Sequence, residues 1–205
     1  MRAEGKQLRL FVAINLPEEV KVALEKCQVE FASQAGKGGV RWMRWDQLHL
    51  TLKFLGYVPE DSVRRIEEGL REACGGIAPF RLIAEGAGCF PSMRAPRVIW
   101  VGIREAGTGM DAHEHGTTRL LTLQKQIDGA MVTWAEPEKR AFAPHLTLGR
   151  LKDPARKQAE AIAQFVEANK SARFAEWEAR QIDLMQSVLS SSGATYHSLA
   201  SIRLA

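Results

Sequence analysis

Two histidines and two threonines carry the chemical signal of this sequence. The tetrapeptide His-Leu-Thr-Leu occurs twice, at 49–52 and at 145–148. Successive side chains on a strand point to opposite faces, so His49 and Thr51 share one face while Leu50 and Leu52 share the other. His145 and Thr147 are likewise set against Leu146 and Leu148. Imidazole, with an unperturbed pKa of about 6.5, gives or takes a proton near neutrality. Two imidazoles flanking one bound group can act as base and acid in a single step, each worth roughly 10²–10⁴ in rate. A threonine hydroxyl beside each can donate a hydrogen bond to an anionic oxygen. Two such donors on opposite walls would hold a phosphoryl group and stabilise charge developing on it. The reaction that suits this set is phosphodiester cleavage without a metal. One histidine takes a proton from water, the water attacks phosphorus, and the other histidine protonates the departing oxygen. Metal binding is the competing use of histidine, but neither tetrapeptide contains Asp, Glu or Cys, and two histidines make an incomplete ligand set.

The surrounding pattern predicts how these strands are held. Residues 7–14 read as an apolar strand stopped by Asn15-Leu16-Pro17, and Pro17 with Glu18 and Glu19 opens a helix. Val20, Leu24, Cys27 and Phe31 form its buried stripe, and Gly36-Lys37-Gly38-Gly39 ends it. The first His strand, from His49 to Leu55, is closed by Gly56. Pro59 opens a second helix with Val63, Ile66, Leu70 and Cys74 inward, ended by Gly75-Gly76. Residues 80–90 and 97–103 read as a hairpin. The second half repeats the order. A polar, Gly-rich segment at 105–118 precedes a helix with Leu120, Leu123, Ile127 and Met131 inward, and Ala143-Pro144 enters the second His strand extended. Asp153-Pro154 caps a helix carrying Ala159, Ile162, Phe165 and Val166, and two strands near 179–189 and 195–204 close the chain. The reading is an α+β fold with antiparallel sheets flanked by helices. It is one bilobal domain over 1–205 with repeats at about 8–104 and 105–205, related by a pseudo-twofold across a central cleft.

Composition narrows the setting. The 205 residues suffice for one sizeable core, and 45% apolar with 25% charged is ordinary for a soluble chain. A net charge of +4 suits an anionic ligand such as a phosphate or an RNA end. Cys27, Cys74 and Cys89 are too few and scattered for a disulfide framework or a zinc site, so buried, reduced thiols and a cytoplasmic location are expected. No stretch approaches the ~20 apolar residues of a membrane span. A monomer with no cofactor and no metal is expected.

The duplicated His-x-Thr pattern resembles the two-histidine phosphoesterases, specifically the RNA 2′,3′-cyclic phosphodiesterases, historically named 2′-5′ RNA ligases. Residues 9–14 (RLFVAI), 49–56 (HLTLKFLG), 88–91 (GCFP) and 144–150 (PHLTLGR) are similar to that branch, as are Gln186-Ser187, Gly193 and Tyr196. The resemblance implies hydrolysis of a terminal 2′,3′-cyclic phosphate, on RNA or a small nucleotide, to a 2′-phosphate, with 2′-5′ ligation as the reverse reaction. It implies His49 as proton donor and His145 as proton acceptor, an assignment that the near-symmetric spacing does not make. The 105–118 segment is longer than the family pattern.

Other residues are read both ways. The resemblance implies that Arg150 binds phosphate, whereas strict alternation puts it on the face opposite His145 unless a bulge at Gly149 or the strand end turns it back. Phe11 can stack a base or pack in the core, while Trp42 and Trp45 are expected to be structural. His113-Glu114-His115, among glycines, reads as a loop rather than a metal site, and His197 as a structural or surface residue. The alternative from another class is a non-catalytic RNA- or nucleotide-binding module that kept the cleft. Such a module has no need of both imidazoles.

Overall fold

The computed structural model describes residues 5–35, 39–107, 118–152, 156–191 and 193–205. The elements in order are β1 (Gln7–Asn15), α1 (Glu18–Ala35), β2 (Val40–Trp42), β3 (His49–Pro59), α2 (Val63–Cys74), β4 (Phe80–Phe90) and β5 (Val98–Glu105). There follow α3 (Arg119–Ala130), β6 (His145–Leu151), α4 (Arg156–Ala168), β7 (Arg173–Ala179), β8 (Gln181–Ser190) and β9 (Gly193–Arg203). Asp153-Pro154 and His113-Glu114-His115 lie outside the described residues.

The strands form two antiparallel sheets, ordered β3-β1-β8-β9 and β2-β6-β5-β4-β7, each holding one His strand. The α+β class with antiparallel sheets is therefore as the periodicities require. Each sheet nevertheless draws on both halves of the sequence. Strands β4 and β5 share a sheet with β6, whereas β8 and β9 share one with β1 and β3. Helices α2 and α3 pack together over the first sheet, and α1 and α4 over the second.

The helical stripes fill the core as their spacing predicts. Val20, Leu24, Cys27 and Phe31 of α1 are buried, as are Leu120, Leu123 and Ile127 of α3 with Met131 just beyond it. Leu50, Leu52, Leu146 and Leu148 are all buried in the same apolar cluster. Burial of each leucine is worth roughly 1.5–3 kcal/mol. The two His strands are thereby anchored through the face opposite their chemistry.

Three elements differ from the sequence expectation. Strand β3 does not close at Gly56 but runs on to Pro59, because Gly56, at φ 72°, accommodates a bulge beside Leu55 and lets the strand bend. The short β2 adds an edge strand to β6. Strand β7, which reads as charged and Ala/Glu-rich, is also an edge strand, pairing with β4 while Trp177 and Ala179 anchor it in the core. Charged edges carry little periodic signal.

Candidate active site

Each His strand begins regularly and then bulges. In β3 the pairing with β1 passes from Thr51 to Lys53 across an irregularity at Leu52, and in β6 the pairing with β5 passes from Thr147 to Gly149 across one at Leu148. The extra residue returns the next side chains, Phe54 and Arg150, to the face of the histidines. Arg150 accordingly lines the same cleft as His145. Of the two routes the sequence offers, a bulge at Gly149 or the strand end, the structure has a bulge, with Leu148 as the unpaired residue and Gly149 paired with Ile99 just after it.

The two bulges are secured differently. Lys53, 4% exposed, turns into the core, its Nζ 2.5 Å from Asp128 Oδ1 and 2.5 Å from the Glu136 carbonyl. Gly149 stands at the matching position, where a Cβ would meet Val40 Cγ1 at 2.8 Å and the Trp42 ring at 3.0 Å. The buried Gln28 of α1 completes this second bulge, its Nε2 donating to the carbonyls of Leu148 at 2.8 Å and Met43 at 2.9 Å. Strand β2 and Trp42 are thus structural, with Trp42 edge-on to Phe31 at 5.4 Å. Trp45 lies under the Lys21 ammonium. Neither tryptophan lines the cleft, as the sequence reading expects.

Between the sheets lies a cleft of about 200 Å³, lined by His49, Thr51, His145, Thr147 and Arg150, with Arg9, Phe11, Gln47, Phe54 and Tyr196 among its other walls. His49 Nδ1 is 2.8 Å from the Gln47 carbonyl oxygen, and His145 Nδ1 is 2.7 Å from that of Ala143. A carbonyl only accepts, so Nδ1 carries the hydrogen in both rings. That leaves each Nε2 to accept a proton when the ring is neutral and to donate one when it is charged.

Aromatic rings fix both imidazoles. His49 packs against Phe11, with centroids 4.8 Å apart, and lies edge-on to Tyr196 at 5.2 Å. His145 lies edge-on to Phe90 at 5.1 Å and near Trp100 at 6.2 Å. Phe11 is only 2% exposed and packs in a small cluster with Ala13, Met185 and Tyr196, so it supports His49 rather than presenting an open face. Sequence reasoning did not single out Phe90, Trp100 or Tyr196 as neighbours of the histidines. Only strand order reveals, for example, that Trp100 pairs with Thr147. Arg9, whose Nη1 donates to Ser187 Oγ at 2.9 Å, was missed for the same reason.

The electrostatics favour neutral rings in the free protein. Burial pushes His49 from the ordinary 6.5 down to about 4; the Gln47 carbonyl opposes this and the Arg150 guanidinium adds to it. His145 is lowered by burial and by Arg150, opposed by the Ala143 carbonyl. One cation thus acts on both histidines. A phosphate anion between them would reverse the effect by favouring the protonated forms.

Among the described residues no three His, Cys, Asp or Glu side chains cluster as metal ligands. Cys27, Cys74 and Cys89 are free and buried, and burial raises Cys27 and Cys74 to about 11, so they are poor nucleophiles. His197 is exposed on β9. No helix among the described residues is long and apolar enough to cross a membrane.

Comparison with known proteins identifies the arrangement. The model of the LigT like Phosphoesterase family matches residues 14–100 and 112–196. The chain belongs to the LigT-like phosphoesterase family. It therefore falls within the two-histidine phosphoesterases, as the paired tetrapeptides indicate. It is 34% identical over 192 residues to an RNA 2′,3′-cyclic phosphodiesterase of Archaeoglobus fulgidus, covering 94% of this chain and 98% of that one. A protein of the same name from Methanocaldococcus jannaschii is 30% identical over 92% of this chain and 96% of its own length. Among solved structures, TT0787 of Thermus thermophilus superposes with a TM-score of 0.74 at 29% identity, covering 96% of this chain and 98% of that one. Escherichia coli LigT in its apo form, 24% identical, shares the fold at a TM-score of 0.67 over 97% of this chain and 98% of its own.

Proposed function

We propose that the protein hydrolyses 2′,3′-cyclic phosphate ends of RNA, or small 2′,3′-cyclic nucleotides, to 2′-phosphates by two-histidine acid–base catalysis without a metal. The observation that carries this reading is the pair of backbone-anchored imidazoles, each beside a threonine, lining one cleft with Arg150 acting on both. The relatives named RNA 2′,3′-cyclic phosphodiesterase support the substrate class. Arg150 and the hydroxyls of Thr51 and Thr147 bind the non-bridging oxygens. His145 Nε2 takes a proton from water as the water attacks phosphorus in line. The P–O3′ bond breaks, and His49 Nε2–H protonates the departing 3′-oxygen. The bound anion raises both imidazole pKa values, so His49 holds its proton when substrate is present. Phe11 and Phe90 keep the two rings in register.

A parallel step, attack of a 5′-hydroxyl on the cyclic phosphate in place of water, would form a 2′-5′ linkage and is secondary to hydrolysis. We read the chain as a single bilobal unit with two internal repeats, acting as a monomer. Its buried free thiols suit a reducing compartment such as the cytoplasm.

The experiment is turnover of 2′,3′-cyclic nucleotides in the presence of EDTA, with the product identified. A 2′-phosphate formed at an undiminished rate is expected, as is loss of roughly 10²–10⁴ in rate for His49→Ala and for His145→Ala at unchanged thermal midpoint. Activity lost to EDTA and restored by a divalent ion would overturn the metal-free mechanism. Substantial activity in either histidine variant would overturn the two-histidine one.

A further inference from the structure

The two walls of the cleft differ beside their histidines. Asn15 faces His49 across β1 and β3, and Gly102 faces His145 across β5 and β6. Asn15 is tied down, its Nδ2 donating to Oδ2 of the buried Asp183 at 2.9 Å. Its counterpart is a glycine, and there the structure opens a recess of about 210 Å³ between Phe90, Trp100 and Pro144 on one hand and Glu85 with Arg104 on the other. His145 belongs to both the recess and the catalytic cleft. Glycines make the space. A Cβ on Gly102 would come within 2.8 Å of the Glu85 carbonyl oxygen, and one on Gly88 would reach 2.1 Å from the Trp100 ring. The indole therefore lies against bare backbone, forming an aromatic wall. Arg104 donates from Nε and Nη2 to Glu85 Oε2 at 3.0 and 2.7 Å, which sets guanidinium donors beside a carboxylate acceptor at the rim.

In-line attack decides what such a recess can receive. With His49 protonating the 3′-oxygen, the ribose of the cyclic phosphate lies on the His49 side. The nucleophile then enters from the His145 side, where the recess opens. We propose that the recess is an acceptor subsite for the 5′-terminal nucleoside of a second RNA, with its base against Trp100 and Phe90 and its polar edge on Glu85 and Arg104. This rests on the cyclic phosphodiesterase reading above and on His145 as proton acceptor. The 5′-hydroxyl occupies the place of the attacking water. Its oxygen forms the new P–O5′ bond and its proton passes to His145 Nε2. The P–O3′ bond breaks and the 3′-oxygen takes the proton of His49, leaving a 2′-5′ diester and a 3′-hydroxyl with no other reactant consumed. Stacking on the indole is open to every base. The edge is selective, because guanine presents two N–H donors to a carboxylate and a carbonyl to a guanidinium, whereas uracil has one N–H between two carbonyls. Guanosine is the preferred acceptor.

The test incubates the enzyme with 2′,3′-cyclic AMP and the 5′-hydroxyl dinucleotides GpU or UpU, and measures 2′-AMP and the 2′-5′ trinucleotide separately. Transfer that saturates with dinucleotide, at least fivefold greater for GpU than for UpU, is expected. Glu85→Gln/Arg104→Gln should lower transfer at least tenfold and abolish the base preference while hydrolysis stays within twofold. Equal transfer to GpU and UpU in the unaltered protein overturns the proposal, and this arm stands even if the double variant fails to fold. A double variant that instead raises KM for cyclic AMP also overturns it, because the cyclic nucleotide's own base would then occupy the recess. Hydrolysis without any transfer defeats the proposal alone, whereas absence of hydrolysis defeats the underlying reading as well.

Discussion

Phe54 and Arg150 occupy the same station in the two walls of the cleft. Each lies five residues past its histidine, and each follows a strand bulge that returns it to the histidine's face. One is an apolar ring and the other a cation, so at this station the wall bearing His145 is charged and the wall bearing His49 is apolar, the cation on the His49 side being Arg9 of β1. Both imidazoles feel the same guanidinium.

That shared cation gives the first prediction. Arg150→Met removes a charge that depresses both histidines, so both pKa values rise in the free protein, as an NMR titration of the two imidazole Cε1–H resonances would show. The same change weakens phosphate binding, seen as a higher KM. A variant in which only one histidine moves would place the guanidinium beside that ring alone.

Thr51→Val and Thr147→Val each remove one hydrogen-bond donor and keep the shape. Steady-state kinetics should give losses of about 10²–10³ in rate. Unaltered kinetics in either variant would put that hydroxyl outside the site.

The pH profiles follow from the sign of the shifts. One proton on the histidine pair is the productive state, so kcat/KM is bell-shaped with limbs belonging to the pair. In the free protein His49 is held at about 4 and His145 below the ordinary 6.5, so both limbs of kcat/KM lie on the acid side of 6.5. The bound anion raises both values, and the kcat profile shifts alkaline. Coincident profiles would mean that the phosphate does not sit between the rings. The same depression links His49 to stability. An unfolded chain binds the proton more readily, so this contribution is fully present above about 6.5 and is lost as pH falls from there through about 4.

Lys53→Met strips the Asp128 carboxylate of its buried cation and should destabilise the fold by on the order of 3–5 kcal/mol in chemical denaturation. A loss below about 1 kcal/mol would show that the carboxylate is adequately solvated without the lysine.

Much of this arrangement was legible in the sequence because period-two alternation and helical stripes are local. The tetrapeptides put His49 with Thr51 and His145 with Thr147 on shared faces, and the stripes of α1 and α3 are buried as spaced, as is that of α2 except for the half-buried Val63 at its start. Arg150 was legible only as a conditional, since alternation opposes it and a bulge rescues it. The bulge itself depends on distant partners, Gln28 from α1 and Trp42 from β2, which no local pattern encodes. Trp100, Phe90 and Tyr196 were hidden for the same reason. Each reaches a histidine through strand order, and strand order in these sheets mixes the two halves of the chain.

That mixing has a mechanical consequence. The backbone passes from one sheet to the other between β1 and β2, β2 and β3, β3 and β4, and β7 and β8. The jaws of the cleft are thus laced together by repeated crossings rather than joined at one hinge. A rigid opening of one jaw would pull on every lace at once, so the gap between the histidines behaves as a fixed gauge. Severing the chain between its halves would not release two independent lobes, because each would be left with strands that complete the other.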